Sequence, residues 1–312
     1  MKVFATTLNC YKTQFYHNTT FDWFSENLTS SLKRDPNHLP DLIAIAFQEF
    51  LPLDKAFGYG DEEYETSIGN MLLKAIDQGM QDFFTQSLLE RGSKKTAKKM
   101  KAITFKLVKM TRHVGNALFI FSHQNLIPSE ISVDRLGLGW FWLGNKGAVA
   151  IRLVFEGENR DGKALKWTVC FLSCHLDANK TDSQARNHQF QELASKINFP
   201  EYSGLSNKKY SSLEEQDAIV LMGDLNYRVY DSSKSAQELI AHYHSGQIEE
   251  LQVFDQLSQE FSRKSGFLSQ FYEAPINFLP TYKVIPGTGK LDSSRIPSWC
   301  DRILISSPLL CL

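Results

Sequence analysis

Eight short apolar runs rich in Val, Ile and Phe recur along the chain, and they constrain the fold more than any other feature. They are "KVFATTLNC", "DLIAIAFQEF", "ITFKLVKMTR", "NALFIFSHQ", "GAVAIRLVFEG", "KWTVCFLSCHL", "DAIVLMGDLN" and "WCDRILIS". Each has strand length and is bounded by polar, glycine or proline residues. Between some of them, "TSIGNMLLKAIDQGMQDFFTQSLLE", "SQARNHQFQELASKI" and "SAQELIAHYHS" place apolar residues at three- and four-residue spacing, which predicts helices. Hairpin-like strand pairs fill the middle, while the two ends alternate strand and helix. Such a mixture fits paired sheets with helices over their outer faces, an α/β domain of sandwich type. There is neither an internal repeat nor a low-complexity linker, so residues 1–312 read as a single domain.

Bulk properties narrow the function. Apolar residues make up 42% and charged residues 22% of the 312, enough for a core, and the net charge of -1 gives no global field to attract nucleic acid or a membrane. The five cysteines, Cys10, Cys170, Cys174, Cys300 and Cys311, are odd in number and widely spread. They match neither a zinc-ligand spacing nor a disulfide framework, which points to a reducing, cytoplasmic compartment. The N-terminus reads as a strand rather than a secretion signal. No stretch reaches the roughly 18 uninterrupted apolar residues of a membrane span. The basic run from Arg91 to Lys101 has two readings, a solvated loop or a patch for acidic lipid headgroups, which attract each nearby lysine by about 1 kcal/mol.

The way the strands finish points to chemistry. "TTLN" ends in Asn9, "IAFQE" in Gln48 and Glu49, "FLSCH" in His175, and "VLMGDLN" in Asp224 and Asn226. Strand-end Asn and Asp often serve only to cap turns, and His175 could be a satisfied core histidine. Six such residues together suggest instead a site built on rigid supports at one sheet edge. The set is rich in oxygen and free of thiolate. A carboxylate such as Glu49, helped by an amide, suits Mg²⁺, whereas zinc would want more His or Cys. Without a Walker-type glycine loop or a G-x-S-x-G elbow, the chemistry that fits is metal-assisted phosphoester hydrolysis.

The segments "LMGDLNYR" and "IPSWCDRIL" resemble the two signature motifs of the inositol polyphosphate 5-phosphatases, and "FQEF", "GNKG", "SCHLDAN" and "PTYK" resemble further motifs in the family's order. The G-D-x-N element alone is shared with DNase-like endonucleases; W-C-D-R together with "PTYK" is particular to the phosphoinositide branch. The resemblance implies a four-layered α/β sandwich of the DNase I-like kind: two packed mixed sheets flanked by helices. It implies Mg²⁺-dependent removal of the 5-phosphate of phosphoinositides. Glu49 would ligate Mg²⁺ with Asn9 beside it, Asp224 would activate the attacking water, and Asn226 would orient that water or the phosphate. His175 would hydrogen-bond the same phosphate, and Asp301 would orient a catalytic histidine. Tyr282 and Lys283 would hold a 4-phosphate, with Arg295 adding a planar fork. Asn145 and Lys146 would contact the 1-phosphate, and phosphatidylinositol 4,5-bisphosphate would be the preferred substrate. Just before them Trp140, Phe141 and Trp142 are either part of a core strand or rings at the membrane interface.

The chain departs from the family pattern at its end, which has no S-D-H-x-P-V element and therefore lacks the Asp-His pair that Asp301 should serve. The expectation is a C-terminally incomplete catalytic domain, with a possible endomembrane tail anchor lost beyond it. His123 and His188 are poor substitutes. Two alternatives to a phosphatase follow: a catalytically impaired phosphoinositide-binding module, and a DNase-like nuclease. The partners expected are a phosphoinositide headgroup and a membrane surface, not nucleic acid, for a monomer that is cytoplasmic and peripheral at membranes.

Overall fold

Every residue of β2 (Leu42–Gln48) is buried, and its two faces serve two different cores. Successive side chains of a strand point to opposite sides. Leu42, Ala44 and Ala46 therefore face a second sheet, while Ile43, Ile45 and Phe47 face helices. This double burial is why the run reads as continuously apolar. The computed structural model describes residues 1–11, 21–35, 39–51, 62–91, 103–138, 146–158, 162–179, 183–201, 209–264, 266–286 and 288–307.

One sheet has the order β1 (Val3–Asn9), β2, β4 (Asn116–His123), β3 (Phe105–His113). The other has the order β11 (Asp301–Ser306), β10 (Ala218–Asp224), β7 (Ala164–His175), β6 (Gly147–Glu158), β5 (Glu130–Gly137). A short pair, β8 (Asn198–Glu201) with β9 (Lys209–Ser212), stands apart. Both large sheets are mixed: β1–β2 and β7–β10 run parallel, and the remaining pairs antiparallel. The sheets pack face to face through Leu118, Ile120, Val149, Ile151, Phe171 and Met222.

Helices cover the outer faces. α1 (Asp22–Arg34) and α2 (Glu62–Arg91) lay Phe24, Leu28, Ile68, Leu72 and Ile76 on the first sheet. α3 (Ser183–Lys196) lays Phe190 and Leu193 on the second. The result is helix, sheet, sheet, helix, the four layers expected. α4 (Ala236–His244), α5 (Ile248–Gln252) and α6 (Gln256–Arg263) follow β10. α4 starts at a capping box in which Ser235 and Glu238 each satisfy the other's backbone N–H.

All eight expected strands and all three expected helices form. The structure adds β5, β8, β9, α1, α5 and α6. β5 escapes a pattern search because it is an edge strand with largely half-exposed side chains. The tryptophan segment, Asn145 and all but the first residue of the basic run lie outside the described residues.

Candidate active site

The parallel pairings bring the polar strand ends to one edge. β1 and β2 finish side by side with Asn9 opposite Gln48, and β7 and β10 finish with His175 opposite Asp224. The antiparallel strands add their N-terminal ends: Asp301 of β11 faces Asp224, and Gly147 of β6 faces His175, with Lys146 just before it. Asn9, Glu49, Lys146, His175, Asp224, Asn226, Tyr282, Lys283 and Asp301 thus line one cleft of about 1050 Å³. Gln48 stays beneath it, fully buried, accepting from the Thr7 hydroxyl and donating to Ser173 across the two sheets.

Asp224 is the best-held group. Its Oδ2 accepts from Asn9 Nδ2 at 2.9 Å, its Oδ1 accepts from the Asn226 backbone N–H at 3.1 Å, and His175 Nε2 lies 3.6 Å from Oδ2. Asn9 in turn accepts at Oδ1 from the Tyr11 N–H at 2.9 Å. Asn9 thus commits its amide nitrogen to Asp224, while its Oδ1, which takes one N–H from Tyr11, keeps a second lone pair for the metal expected beside Glu49. Asn226 is also more committed than expected: it is buried, it donates to the Leu176 carbonyl at 3.0 Å, and its Oδ1 accepts from Arg228 at 2.5 Å. Its geometry suits bracing the turn after β10, where it adopts φ 55°, more than contacting a phosphate.

His175 is buried, and desolvation pushes its imidazole down to about 4. The neighbouring Lys146 and Arg228 cations act in the same direction, against the opposing pull of Asp224. It is therefore neutral at pH 7. Lys146 Nζ meets His175 Nε2 directly. The lysine was expected to contact a remote 1-phosphate; the structure instead puts its amine on the cleft floor. Burial lowers its pKa, while Asp224, Glu49 and Asp177 hold it up.

Asp301 was expected to orient a histidine. Among the described residues, no histidine bonds to it: its backbone N–H meets Thr281 Oγ1 at 3.3 Å, and its buried Oδ1 has no partner. His123 packs edge-on against Phe105 and His188 is exposed on α3, both away from the cleft. Burial, and then the charge of Asp224, push the Asp301 carboxyl up to about 7.

Glu49 follows β2 in a left-handed conformation (φ 49°), which turns its side chain out of the strand's alternation and into the cleft wall. Among the described residues, no three His, Cys, Asp or Glu side chains gather as a metal cluster. Burial first, and then the charges of Glu49 and Asp301, raise the pKa of Cys10, so the two carboxylates share one neighbourhood with no ionised thiol in it. Such oxygen donors fit a hard divalent cation that keeps several waters. Cys170, Cys174 and Cys300 are likewise buried, free and held protonated by desolvation, so none of these thiols is a nucleophile.

The opposite wall is cationic and aromatic. Lys283 Nζ lies 5.5 Å from the Tyr11 ring centroid, and Tyr282 stacks on the Arg228 guanidinium at 3.7 Å. Arg295 departs from expectation: it is exposed and does not line the cleft, because its turn, closed by Arg295 N–H to Asp292 O at 3.1 Å, carries it outward. Sequence reasoning missed Arg228, which is buried in the lining with Nε and Nη1 unpartnered among the described residues. Its signal was the last letter of "GDLNYR", a basic residue two positions past a strand-end amide.

Comparison with known proteins agrees with this geometry. The endonuclease/exonuclease/phosphatase family 2 matches residues 6–309. An inositol-1,4,5-trisphosphate 5-phosphatase 1 of Schizosaccharomyces pombe is 35% identical over 204 residues, covering 63% of this chain and 17% of that protein. A phosphatidylinositol 4,5-bisphosphate 5-phosphatase A of Rattus norvegicus is 34% identical over 207 residues, covering 64% of this chain and 19% of that protein. The chain thus spans less than a fifth of the length of these two relatives. A crystal structure of the inositol polyphosphate 5-phosphatase domain of a synaptojanin, with inositol (1,4)-bisphosphate and calcium, superposes with TM-score 0.68 at 27% identity, covering 99% of this chain and 76% of that one. The chain belongs to the endonuclease/exonuclease/phosphatase family 2, and its relatives there are inositol polyphosphate 5-phosphatases.

Proposed function

We propose that the cleft removes the 5-phosphate of phosphoinositides, with phosphatidylinositol 4,5-bisphosphate as the preferred substrate and Mg²⁺ as the metal. The observation that carries this reading is Asp224, held by Asn9 and the Asn226 N–H beside a neutral His175 and the Lys146 amine. A carboxylate fixed in this way can take a proton from water only in one direction, toward the cleft. The water oxygen attacks phosphorus and its proton passes to Asp224. The bond from phosphorus to the ring 5-oxygen breaks, and that oxygen leaves with the electron pair and takes a proton from water in the open cleft. His175, neutral and a donor in one tautomer, hydrogen-bonds the phosphate, and Lys146 and Arg228 offset its growing charge. Glu49, with Asp301 nearby, would hold Mg²⁺, which would supply further positive charge at the phosphate. Tyr282 and Lys283 line the wall that takes the neighbouring 4-phosphate, which favours a 4,5-bisphosphate headgroup. The chain acts as a monomer at the cytoplasmic face of a membrane.

The test is phosphate release from liposomal phosphatidylinositol 4,5-bisphosphate with Mg²⁺ or EDTA, with Glu49→Ala as control and plasmid DNA as a counter-substrate. Mg²⁺-dependent release that the substitution abolishes is the expected result. A second reading, headgroup binding without turnover, draws on the buried Oδ1 of Asp301, which has no partner among the described residues. It becomes the better one if folded protein binds the liposomes and releases nothing; cleavage of the plasmid would instead favour a nuclease.

A further inference from the structure

Behind the cleft, α3 buries Arg186 completely, and its guanidinium reaches segments that carry the site without itself lining it. Nη1 donates to the carbonyl of Asp177 at 3.3 Å and to that of Asn179, in the loop that follows His175. Nη2 donates to Gln256 Oε1 at 2.5 Å, at the start of α6. The guanidinium carbon lies 5.1 Å from the centroid of the Tyr227 ring, in the turn after Asp224. Tyr227 is held in place by its hydroxyl, which donates to Asn187 Oδ1 at 2.7 Å. Among the described residues Arg186 forms no ion pair, and every acceptor it meets is a neutral oxygen. A buried cation without a carboxylate is costly to the fold. What it offers in return is a rigid planar fork of donors, able to serve two segments at once.

The Gln256 oxygen also has a second donor. It accepts from the Arg228 N–H at 3.0 Å, while the Gln256 N–H donates to the Arg228 carbonyl at 2.9 Å. One glutamine thus holds the main chain of Arg228 on both sides. A primary amide can turn over and exchange its oxygen for its nitrogen; with Arg186 donating to it, only the oxygen satisfies both donors. From this clamp the Arg228 side chain enters the cleft, where it stacks on Tyr282 at 3.7 Å and bonds Asn226. Asn226 donates to the Leu176 carbonyl at 3.0 Å, which ties the turn after β10 back to the loop that Arg186 holds. We propose that Arg186 is a positioning residue for phosphate hydrolysis: without touching substrate, it fixes the Gln256 amide and through it the place of the Arg228 guanidinium beside the reacting phosphate. The inference deepens the phosphatase reading above and rests on it for the identity of that phosphate.

Two variants of the whole chain test it, so that one suffices where the other does not fold. Arg186→Lys keeps the charge and loses the fork; Gln256→Met keeps the side-chain length and loses the oxygen. Each is made alone and on Arg228→Ala, with urea titrations to establish folding. With Mg²⁺ and soluble inositol 1,4,5-trisphosphate, each single variant is expected to lose about a hundredfold in kcat with KM nearly unchanged, the effect of a misplaced group. On Arg228→Ala the same substitutions should cost nothing further, because residues that act through one contact do not add. A residue that only stabilises the fold would lower both backgrounds alike. That result overturns the proposal, as does a natural kcat in the single variants. A second readout needs no turnover: the ¹H–¹⁵N signal of Arg228 Nε in EDTA, identified by its disappearance in Arg228→Ala. It should move in both single variants, and an unmoved signal overturns the proposal. Should the natural chain release no phosphate, the phosphatase reading fails, while this signal still decides whether Arg186 places Arg228.

Discussion

Asp224 and Asp301 stand directly opposite one another on neighbouring antiparallel strands, two carboxylates of one register pair lining the same cleft. Burial and the charge of Asp224 push the Asp301 carboxyl up to about 7, against the downward pull of Thr281 and Arg228. A folded-state value above the ordinary carboxylate range means that the fold favours the protonated acid. Its stabilising effect is complete below about pH 4 and is lost as pH rises to about 7. Asp301→Asn mimics the protonated form at every pH. In EDTA, the natural chain should lose on the order of 1–2 kcal/mol relative to Asp301→Asn between pH 4 and pH 8, less than the full shift implies because the residue is only half-buried. Urea titrations at several pH values measure it; parallel curves for the two proteins would show that Asp301 is ionised throughout.

The hydrogen bonds to Asp224 predict a separation of chemistry from binding. Asp224→Asn keeps one acceptor oxygen, enough for either Asn9 or the Asn226 N–H but not both, and cannot take a proton from water. Turnover should fall by roughly 10²–10⁴-fold, the usual contribution of a positioned base. Binding to phosphoinositide vesicles should persist, because a negative charge near the phosphate has been removed. Equal losses in kcat and in vesicle affinity would contradict a proton-accepting role.

Gly223, just before Asp224, has φ 147°, and a Cβ there would meet the Cys174 carbonyl oxygen at 2.0 Å. The adjacent strands β7 and β10 can approach as they do only because this position lacks a side chain. Gly223→Ala should destabilise the chain by about 3 kcal/mol or more, since backbone rather than a flexible side chain must move. A thermal shift below about 3 °C would mean that the strands part easily.

Arg302 is fully buried and bonds both oxygens of Asp255, at 3.1 and 3.0 Å, and both oxygens of Glu273, at 2.6 and 2.5 Å. Asp255 also caps α6 by accepting from the Ser258 N–H. Arg302→Met strands a buried carboxylate and should cost about 3–5 kcal/mol in denaturant unfolding. Adding Asp255→Asn should recover part of the loss; no recovery would place the cost in packing rather than charge.

The strand-forming runs and the polar residues that end them were legible because each depends on a few neighbours in the chain. An apolar run such as Leu42–Gln48 must be buried, and its burial on both faces follows from its lack of alternation. Motif spacing likewise pointed to Glu49, His175, Asp224, Asn226, Tyr282, Lys283 and Asp301, all of which the fold brings to one cleft. α1 was missed because its Phe24, Leu28 and Leu32 stripe is thinly spaced among polar residues. Arg228 was missed because the motif that contains it gives no sign that its guanidinium is buried against the cleft.

What the sequence determined by itself was therefore the sandwich and the roster of groups at its edge. Only the tertiary structure decided how those groups are used. How Asn9 turns its amide depends on the Tyr11 backbone and on Asp224, which is 215 positions away. Whether Lys146 meets a distant phosphate or the reacting centre depends on the pairing of β6 with β7 beside it. Arg295 matches the expected chemistry and still points outward, because a turn closed on Asp292 carries it there. Hydrogen bonds and electrostatic fields act over a few ångströms in space, and in a sheet built from distant strands those ångströms are set by register rather than by sequence separation.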